Sequence, residues 1–234
     1  MPGTLYLIPS PLGEGDPDAI LPSEVRKKIY GLEVFIVEHP RTARQFLKQI
    51  GTKKPLQELE FHVLDEHTKP GELAGMLAPL LEGRDAGVIS EAGCPAVADP
   101  GADLARLAHE KGIRVVPLVG PSSILLALMA SGLGGQRFAF HGYLPVDSEE
   151  LAKRIRQMEK DSRARRETQI FIETPYRNQK LLSALLQHCH DETLLSIASD
   201  VTLSSESIMT RPVRAWKKSP PEIGKRPAVY LIRA

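Results

Sequence analysis

The amino-acid sequence predicts an α/β protein of two α/β domains. The N-terminal domain is expected to hold a parallel sheet with helices on both faces, and the C-terminal domain a mixed-sheet α+β arrangement. Three observations support this. Apolar runs of strand length alternate with segments of helical spacing. Gly and Pro residues lie between these segments, where turns are expected. Near the C-terminus the alternation gives way to strand-like runs alone, which is typical of antiparallel pairing.

The first half of the chain shows five strand–helix alternations. The strand-like runs are TLYLIP, EVFIVE, LEFHVL, AGVIS and IRVVPLVG. The helix-like segments that follow them are LPSEVRKKIYG, PRTARQFLKQIG, PGELAGMLAPLLEG, GADLARLAHEKG and PSSILLALMASGLG. Several of these helices are opened by proline and closed by glycine, as helix ends prefer. Such alternation predicts a parallel sheet covered by helices.

The second half begins with the strand RFAFHGYLP and the long charged helix SEELAKRIRQMEKDSRARRE. A further pair, TQIFIE and PYRNQKLLSALLQHC, precedes the strand TLLSIAS. The remaining pattern, ESIMTRPVRAW and PAVYLIRA, predicts strands only. We place the domain boundary near Val119–Gly120, which gives domains of residues 1–118 and 119–234. Gly134–Gly135 is the alternative boundary.

The composition argues against a strongly charged, a disulfide-rich or a membrane-spanning protein. Lys and Arg number 30 against 29 Asp and Glu, so no global charge recruits nucleic acid or membrane, although a local basic patch stays possible. Two cysteines, Cys94 and Cys189, provide no disulfide framework and suit a reducing compartment. No apolar run approaches membrane-spanning length, and the N-terminus lacks a signal pattern. We therefore expect a cytoplasmic protein without a membrane contact.

Three unusual loops follow predicted strands: PSPLGEGDPD, SEAGCPAVADPG and VGPSS. Ligands of α/β domains bind where loops leave the carboxyl ends of parallel strands. Glycine lets a backbone approach a ligand closely, and proline fixes a loop's shape. Any one of these loops could be a simple turn, but three at one sheet edge favour a binding site. Because the loops are poor in Lys and Arg and no G-x-x-x-x-G-K-[ST] occurs, a polyphosphate ligand is disfavoured.

The chain resembles the tetrapyrrole methylase superfamily, whose members are S-adenosylmethionine-dependent methyltransferases. The opening GTLYLIPSPLGEGDPDAI is similar to the first strand and loop of the branch that methylates a ribose 2′-hydroxyl of small-subunit ribosomal RNA. ISEAGCPAVADPG is similar to the branch's S-D-A-G-x-P-x-x-x-D-P-G, and VGPSSILLALMASGL to its G-P-S-A…A-L-x-A-S-G-L. FAFHGYLP and IFIETPYR resemble F-x-F-x-G-F-L-P and I-F-Y-E-S-P-H-R. The five blocks are collinear over residues 3–177.

The resemblance implies a cofactor cleft between the two domains and assigns its residues. Backbone groups of Glu91, Ala92 and Gly93 are expected to contact the methionine part of the cofactor, with Pro227–Ala228 against the adenine. The full expected set is Pro9, Pro11, Leu12, Gly13, Ser90, Glu91, Ala92, Gly93, Pro95, Pro121, Ser122, Ser123, Glu173, Ala198, Pro227 and Ala228.

The expected acceptor is a ribose hydroxyl, which is a poor nucleophile and benefits from a general base. Glu38 is the first candidate, with Arg41 one helical turn on to bind a phosphate or to pair with it. The other reading of Glu38 is an exposed helix-cap carboxylate. Glu173 and Asp200 are alternative bases.

Partners are implied by the same resemblance: ribosomal RNA or the small ribosomal subunit, and a second copy in a homodimer. Departures from the branch's pattern keep two rival functions open, since its E-D-[TS]-R-x-T block reads EHPRT here. One rival is methylation of a tetrapyrrole or another small molecule. The other is a non-catalytic module that binds S-adenosylmethionine. No metal site is expected, because HCH at residues 188–190 has no second ligand cluster at suitable spacing.

Overall fold

The computed structural model describes all 234 residues. The chain divides into two compact units, Met1–Ser122 and Ser123–Ala234. Each unit contains one five-stranded sheet. None of the helices combines the length and apolar character needed to cross a membrane.

The first unit is built on a parallel sheet, as the alternating pattern predicts. Its strand order is β3-β2-β4-β1-β5, and every neighbouring pair is parallel. The strands are β1 (Thr4–Ile8), β2 (Val34–Val37), β3 (Glu60–Val63), β4 (Ala86–Ile89) and β5 (Arg114–Pro117). The helices are α1 (Pro17–Ile20), α2 (Ser23–Tyr30), α3 (Pro40–Ile50), α4 (Leu73–Met76), α5 (Ala78–Leu81) and α6 (Ala102–Glu110), and 3₁₀ turns cover Leu56–Glu58 and Pro70–Glu72.

Two hydrophobic clusters lie on the two faces of this sheet. Successive strand residues point to opposite faces, so Leu5 joins one cluster and Tyr6 the other. Residues of α4 and α6 complete the first cluster, and residues of α2 and α3 complete the second. The prediction of helices on both faces is therefore confirmed.

The segment PGELAGMLAPLLEG does not form the single helix that its spacing predicts. It is divided into a 3₁₀ turn and the short helices α4 and α5. Pro79 stands in the first turn of α5 and has no N–H to continue the hydrogen bonding of α4. The helix consequently restarts at this point.

The second unit contains a mixed sheet with strand order β6-β7-β10-β8-β9. β6 and β7 are parallel, and the other pairs are antiparallel, as expected for the C-terminal end. The strands are β6 (Phe138–Tyr143), β7 (Thr168–Glu173), β8 (Leu194–Ser199), β9 (Ser207–Pro212) and β10 (Ala228–Arg233). The helices are α7 (Ser123–Ser131), α8 (Ser148–Arg165), α9 (Asn178–His188) and α10 (Val213–Lys218), and a 3₁₀ turn covers Pro175–Arg177.

Two predictions about the second unit need correction. The segment ESIMTRPVRAW is not strand throughout, because β9 ends at Pro212 and α10 follows. Trp216 of α10 is buried and its Nε1 donates to the carbonyl oxygen of Leu195 at 2.9 Å, so tertiary packing overrides the strand preference of these residues. In addition, α7, which was predicted as the helix that follows the fifth strand, packs on β8, β9 and β10 of the second sheet.

Candidate functional site

The loops that follow β1 and β4 are joined by hydrogen bonds. The N–H of Ser10 donates to the carbonyl oxygen of Gly93 at 2.8 Å, and the N–H of Gly93 returns a bond to Ser10 at 3.0 Å. The Ser10 hydroxyl also donates to the carbonyl oxygen of Ser90 at 2.9 Å. The N–H of Gly93, expected to contact the cofactor, is thus already used within the protein.

The loop after β4 is held in an unusual backbone conformation. Gly93 and Gly101 have φ of 75° and 130°, and two alanines, Ala96 and Ala98, have φ of 66° and 64°. An L-residue in this region costs roughly 1–2 kcal/mol, so the surroundings must impose the shape. A hydrogen bond from the Ala96 N–H to the carbonyl oxygen of Pro100 contributes to it. Strain of this kind is concentrated at ligand-binding sites.

A cavity of about 300 Å³ opens at this edge of the first sheet. That volume is at the lower end of the range for small-molecule sites. Its wall comes from the loop after β1, from one face of α3 and from the end of β4. Six of the predicted cofactor residues line the cavity: Pro11, Leu12, Gly13, Ser90, Glu91 and Ala92. The other lining residues are Ser10, Glu14, Gly15, Thr42, Ala43, Gln45, Phe46, Gln49 and Ile89.

The other predicted cofactor residues of the first unit lie close to these loops without lining the cavity. Pro9 packs so tightly on Gly120 that a Cβ on the glycine would lie 2.2 Å from Pro9 Cγ. The Cys94 thiol donates to the carbonyl oxygen of Pro121 at 3.4 Å. Pro95 is buried in the loop, Ser122 ends the first unit and Ser123 begins α7. The loops after β1, β4 and β5 therefore adjoin, as the sequence predicts.

Carboxylates dominate the electrostatics of this region. Glu14 and Glu91 line the cavity, and no Lys or Arg does. Burial, followed by the charges of Glu38 and Glu91, raises the pKa of Asp99 to about 6, although the nearby Ser90 hydroxyl opposes the rise. The Ser90 Oγ itself is buried without a well-aligned hydrogen-bond partner.

Glu38 and Arg41 stand at the start of α3. The Glu38 Oε2 accepts a hydrogen bond from the backbone N–H of Glu91 at 3.3 Å, so this carboxylate helps to position the loop after β4. Arg41 is exposed and pairs with no carboxylate, which corrects the expectation that it could pair with Glu38. Its guanidinium is left available for an external anion. Asp200, the alternative base, already accepts from the Ser205 hydroxyl at 2.9 Å.

The predicted residues of the second unit meet at one end of its sheet. Ala228, the first residue of β10, pairs with Glu173 at the end of β7 and with Ser199 at the end of β8. Ala198 pairs with the next residue of β10. The carbonyl oxygen of Pro227 accepts from the N–H of Asp200 at 3.0 Å. Glu173, Ala198, Pro227 and Ala228 are thereby brought together.

The Glu173 side chain is fully buried, with no exposed surface. Its Oε1 accepts from the backbone N–H of Thr174 at 2.7 Å. Its Oε2 lies 3.2 Å from a terminal nitrogen of Arg177 but makes no aligned hydrogen bond. That guanidinium nitrogen donates to the carbonyl oxygen of Pro145 at 2.9 Å. The sequence analysis missed Arg177, although its position four residues after Glu173 signals a pair.

The sequence analysis also missed the polar face of α3. Thr42, Gln45 and Gln49 line the cavity and follow a helical spacing, which was the available signal. The sequence analysis missed Asp99, because its raised pKa arises from burial and then from the charges of Glu38 and Glu91, which the pattern of residues does not reveal.

Metal-ligating groups are not clustered. No three His, Cys, Asp or Glu side chains are placed to hold a metal ion. In the HCH stretch, Cys189 is buried in the core, and burial raises the pKa of its thiol to about 12. Burial also raises the pKa of the Cys94 thiol, with Asp99 adding to the effect, so neither cysteine is an activated nucleophile.

The residues at the first sheet's edge fit the cofactor that the resemblance implies. S-adenosylmethionine carries a sulfonium and an α-ammonium group, and both are stabilised beside carboxylates such as Glu14 and Glu91. The small residues of the two loops let a ligand approach the backbone.

Comparison with known proteins agrees with this interpretation. The family model described as Tetrapyrrole (Corrin/Porphyrin) Methylases matches residues 5–215. A protein of Escherichia coli O157:H7, Ribosomal RNA small subunit methyltransferase I, is 29% identical over 233 residues, which cover 98% of this chain and 77% of the relative. The protein of the same name from Xylella fastidiosa (strain Temecula1) is 31% identical over 209 residues, covering 89% of this chain and 72% of the relative.

Solved structures show the same fold. The methyltransferase CobJ superposes with a TM-score of 0.65 at 21% identity, covering 99% of this chain and 94% of that one. Cobalt precorrin-4 methyltransferase, CbiF, superposes with a TM-score of 0.59 at 18% identity, covering 98% and 94%. At such identities the likeness concerns the fold alone. The match of residues 5–215 to the family model and the 31% identity to the Xylella fastidiosa relative show that the chain belongs to the tetrapyrrole methylase family of S-adenosylmethionine-dependent methyltransferases.

Proposed function

We propose that this methyltransferase modifies a ribose 2′-hydroxyl of small-subunit ribosomal RNA. The observation that carries the proposal is the exposed guanidinium of Arg41 at the start of α3, which pairs with no carboxylate and can bind a phosphate of an RNA strand. The names of the curated relatives, which act on small-subunit ribosomal RNA, agree with this choice.

In this proposal the cofactor is held by the loops after β1 and β4. When bound, S-adenosylmethionine supplies an electrophilic methyl carbon on a sulfonium. The protein holds the ribose oxygen in line with that carbon, which can account for most of the rate enhancement. Glu38 accepts the hydroxyl proton as the oxygen–carbon bond forms and the sulfur–carbon bond breaks. Arg41 binds a phosphate of the same strand.

The exposed face of α8 offers a second contact for RNA. Lys160 and Arg163 are exposed and pair with no carboxylate. The neighbouring Glu159 is directed elsewhere, since its Oε1 accepts from the backbone N–H of His190 at 2.7 Å. The cations of this face are therefore not neutralised locally and suit phosphates of an RNA backbone. A ribosomal RNA substrate also implies a cytoplasmic location, and we extend the proposal to a homodimer, as expected from the family resemblance.

The test is transfer of a labelled methyl group into whole small ribosomal subunits, naked ribosomal RNA and extracted metabolites in parallel. Label in either RNA sample, at a ribose oxygen, supports the proposal. Label only in the metabolites identifies a small-molecule acceptor and contradicts it. Calorimetric binding of S-adenosylhomocysteine with no transfer to any sample identifies a non-catalytic module.

A further inference from the structure

Tyr176 is the most exposed large hydrophobic residue of the second unit, with 81% of its surface accessible to solvent. It occupies the middle of the 3₁₀ turn Pro175–Arg177 that follows β7. A large aromatic side chain in this position buries almost none of its surface in the fold. Exposed aromatic residues of this kind are enriched at binding sites.

The turn that carries Tyr176 is anchored on both sides. The N–H of Arg177 donates to the carbonyl oxygen of Thr174 at 2.9 Å, and its guanidinium donates to the carbonyl oxygen of Pro145 at 2.9 Å. The same guanidinium lies 3.2 Å from the buried Glu173 carboxylate. Because the backbone is fixed, the ring can bind a partner with little loss of conformational entropy.

A lysine accompanies the ring. The Lys225 Nζ lies 5.2 Å from the centroid of the Tyr176 ring, and the side chain is exposed without a carboxylate partner. The residues on either side of it are anchored, because the Asn178 side-chain amide donates to the carbonyl oxygens of Gly224 at 3.1 Å and Arg226 at 2.8 Å. The ring and the cation are thus presented together by two fixed loops.

We propose that Tyr176 and Lys225 form a stacking site for one unpaired nucleotide of the RNA substrate. The base stacks on the open face of the Tyr176 ring, and Lys225 contacts a flanking phosphate. An aromatic ring beside an unpaired cation is the combination that binds single-stranded nucleic acid regardless of its sequence. This inference rests on the proposed function, since it takes RNA to be the substrate.

The location of the pair relates it to the cofactor residues of the same unit. Tyr176 follows Glu173 at the end of β7, and Lys225 precedes Pro227 at the start of β10. A nucleotide bound there would lie at the end of the sheet where Glu173, Ala198, Pro227 and Ala228 meet. We therefore assign to the pair the role of holding the RNA strand at this end of the second unit's sheet.

The test measures binding of a short fluorescent single-stranded RNA, with S-adenosylhomocysteine present, at several salt concentrations. Tyr176→Ala should weaken binding about 5- to 100-fold, the range expected for loss of one stacked base, whereas Tyr176→Phe should bind like the wild type. Lys225→Gln should reduce the slope of log affinity against log salt by about 0.7, the value for one phosphate of a single strand. Tyr30→Ala and Lys111→Gln remove an exposed tyrosine and an exposed lysine of the first unit and should change neither quantity.

Calorimetry with S-adenosylhomocysteine separates this site from the cofactor site. Unchanged cofactor affinity in Tyr176→Ala, together with weaker RNA binding, supports the inference. Equal RNA binding by Tyr176→Ala and wild type overturns it, and so does a matching loss of cofactor affinity, which would place the ring against the cofactor. If binding to small subunits depends on Tyr176 but persists with ribosomal proteins freed of RNA, the site takes a protein and our assignment is wrong.

Failure of the proposed function gives a different result. A wild-type protein that transfers no methyl group to RNA and binds none contradicts the function, and this site with it. A wild-type protein that methylates RNA while Tyr176→Ala does so equally well, with equal affinity, contradicts the stacking site alone.

Discussion

The Glu38 carboxylate, at the end of β2, accepts a hydrogen bond from the backbone N–H of Glu91, in the loop after β4, with 3.3 Å between Oε2 and nitrogen. Two roles are compatible with this contact. Glu38 can be a structural acceptor that positions the loop, or it can also receive the proton of the substrate hydroxyl. A glutamine keeps the acceptor oxygen but loses most of the basicity, so the two roles are separable.

Glu38→Gln should lower the rate of methyl transfer about 100-fold or more, which is the usual contribution of a general base. Affinity for S-adenosylhomocysteine, measured by calorimetry, should stay close to that of the wild type because the loop contact is retained. Glu24→Gln on α2, whose carboxylate pairs only with Lys27, is the matched control. Product formation by Glu38→Ala at the wild-type rate would show that Glu38 is not the base.

Asp99 should make stability depend on pH. Burial and the neighbouring carboxylates raise its pKa from 3.8 to about 6, so the folded protein binds the proton more tightly than the unfolded chain does. The contribution of Asp99 to stability is therefore largest below pH 4 and is lost as the pH rises through 6. In Asp99→Asn this loss is absent, and the melting temperature of the variant relative to wild type should increase from about pH 4.5 to about pH 7.5. A difference in melting temperature that is equal at both pH values would contradict the prediction.

Gly120→Ala should separate two of the predicted cofactor loops. An added Cβ would lie 2.2 Å from Pro9 Cγ and 2.6 Å from Pro9 Cβ, and the proline ring cannot turn aside. Overpacking of this kind costs about 1–3 kcal/mol of folding stability, and we expect weaker binding of S-adenosylhomocysteine as well. Gly75→Ala is the matched control, because its Cβ meets nothing within 4 Å in α4. Chemical denaturation and calorimetry measure the two effects, and normal values for Gly120→Ala would refute the contact.

Arg177→Met should be strongly destabilising. The Glu173 side chain has no exposed surface, and the variant would leave its charge without the cation 3.2 Å away. Removal of one partner of a buried pair costs about 3 kcal/mol or more. The double variant Glu173→Gln, Arg177→Met removes both charges, so it should be less destabilised than the sum of the single variants. Additive unfolding free energies would mean that the two residues do not interact.

Much of the fold follows from the sequence, because periodicity and turn residues report on local structure. The strands of the parallel sheet coincide with the apolar runs of the first half. The strand expectation fails at Val213–Lys218, where burial of Trp216 against β8 determines the helix. That contact depends on residues far apart in the chain, which local patterns do not encode.

The candidate site, like the fold, could be predicted from the sequence only in part. The loops at the carboxyl ends of β1 and β4 are recognisable from their Gly and Pro content, and they do line the cavity. The raised pKa of Asp99 and the Glu173–Arg177 pair arise from burial, which only the folded chain specifies. The left-handed conformations of Ala96 and Ala98 are equally hidden, since alanine carries no preference for them.

The two hydrogen bonds between Ser10 and Gly93 have a kinetic consequence. They couple the segment after β1 to the segment after β4, so neither can swing outward while the other stays in place. Any outward movement of this edge must then carry both segments together. The amide hydrogens of Ser10 and Gly93 should therefore show similar protection factors against exchange with solvent.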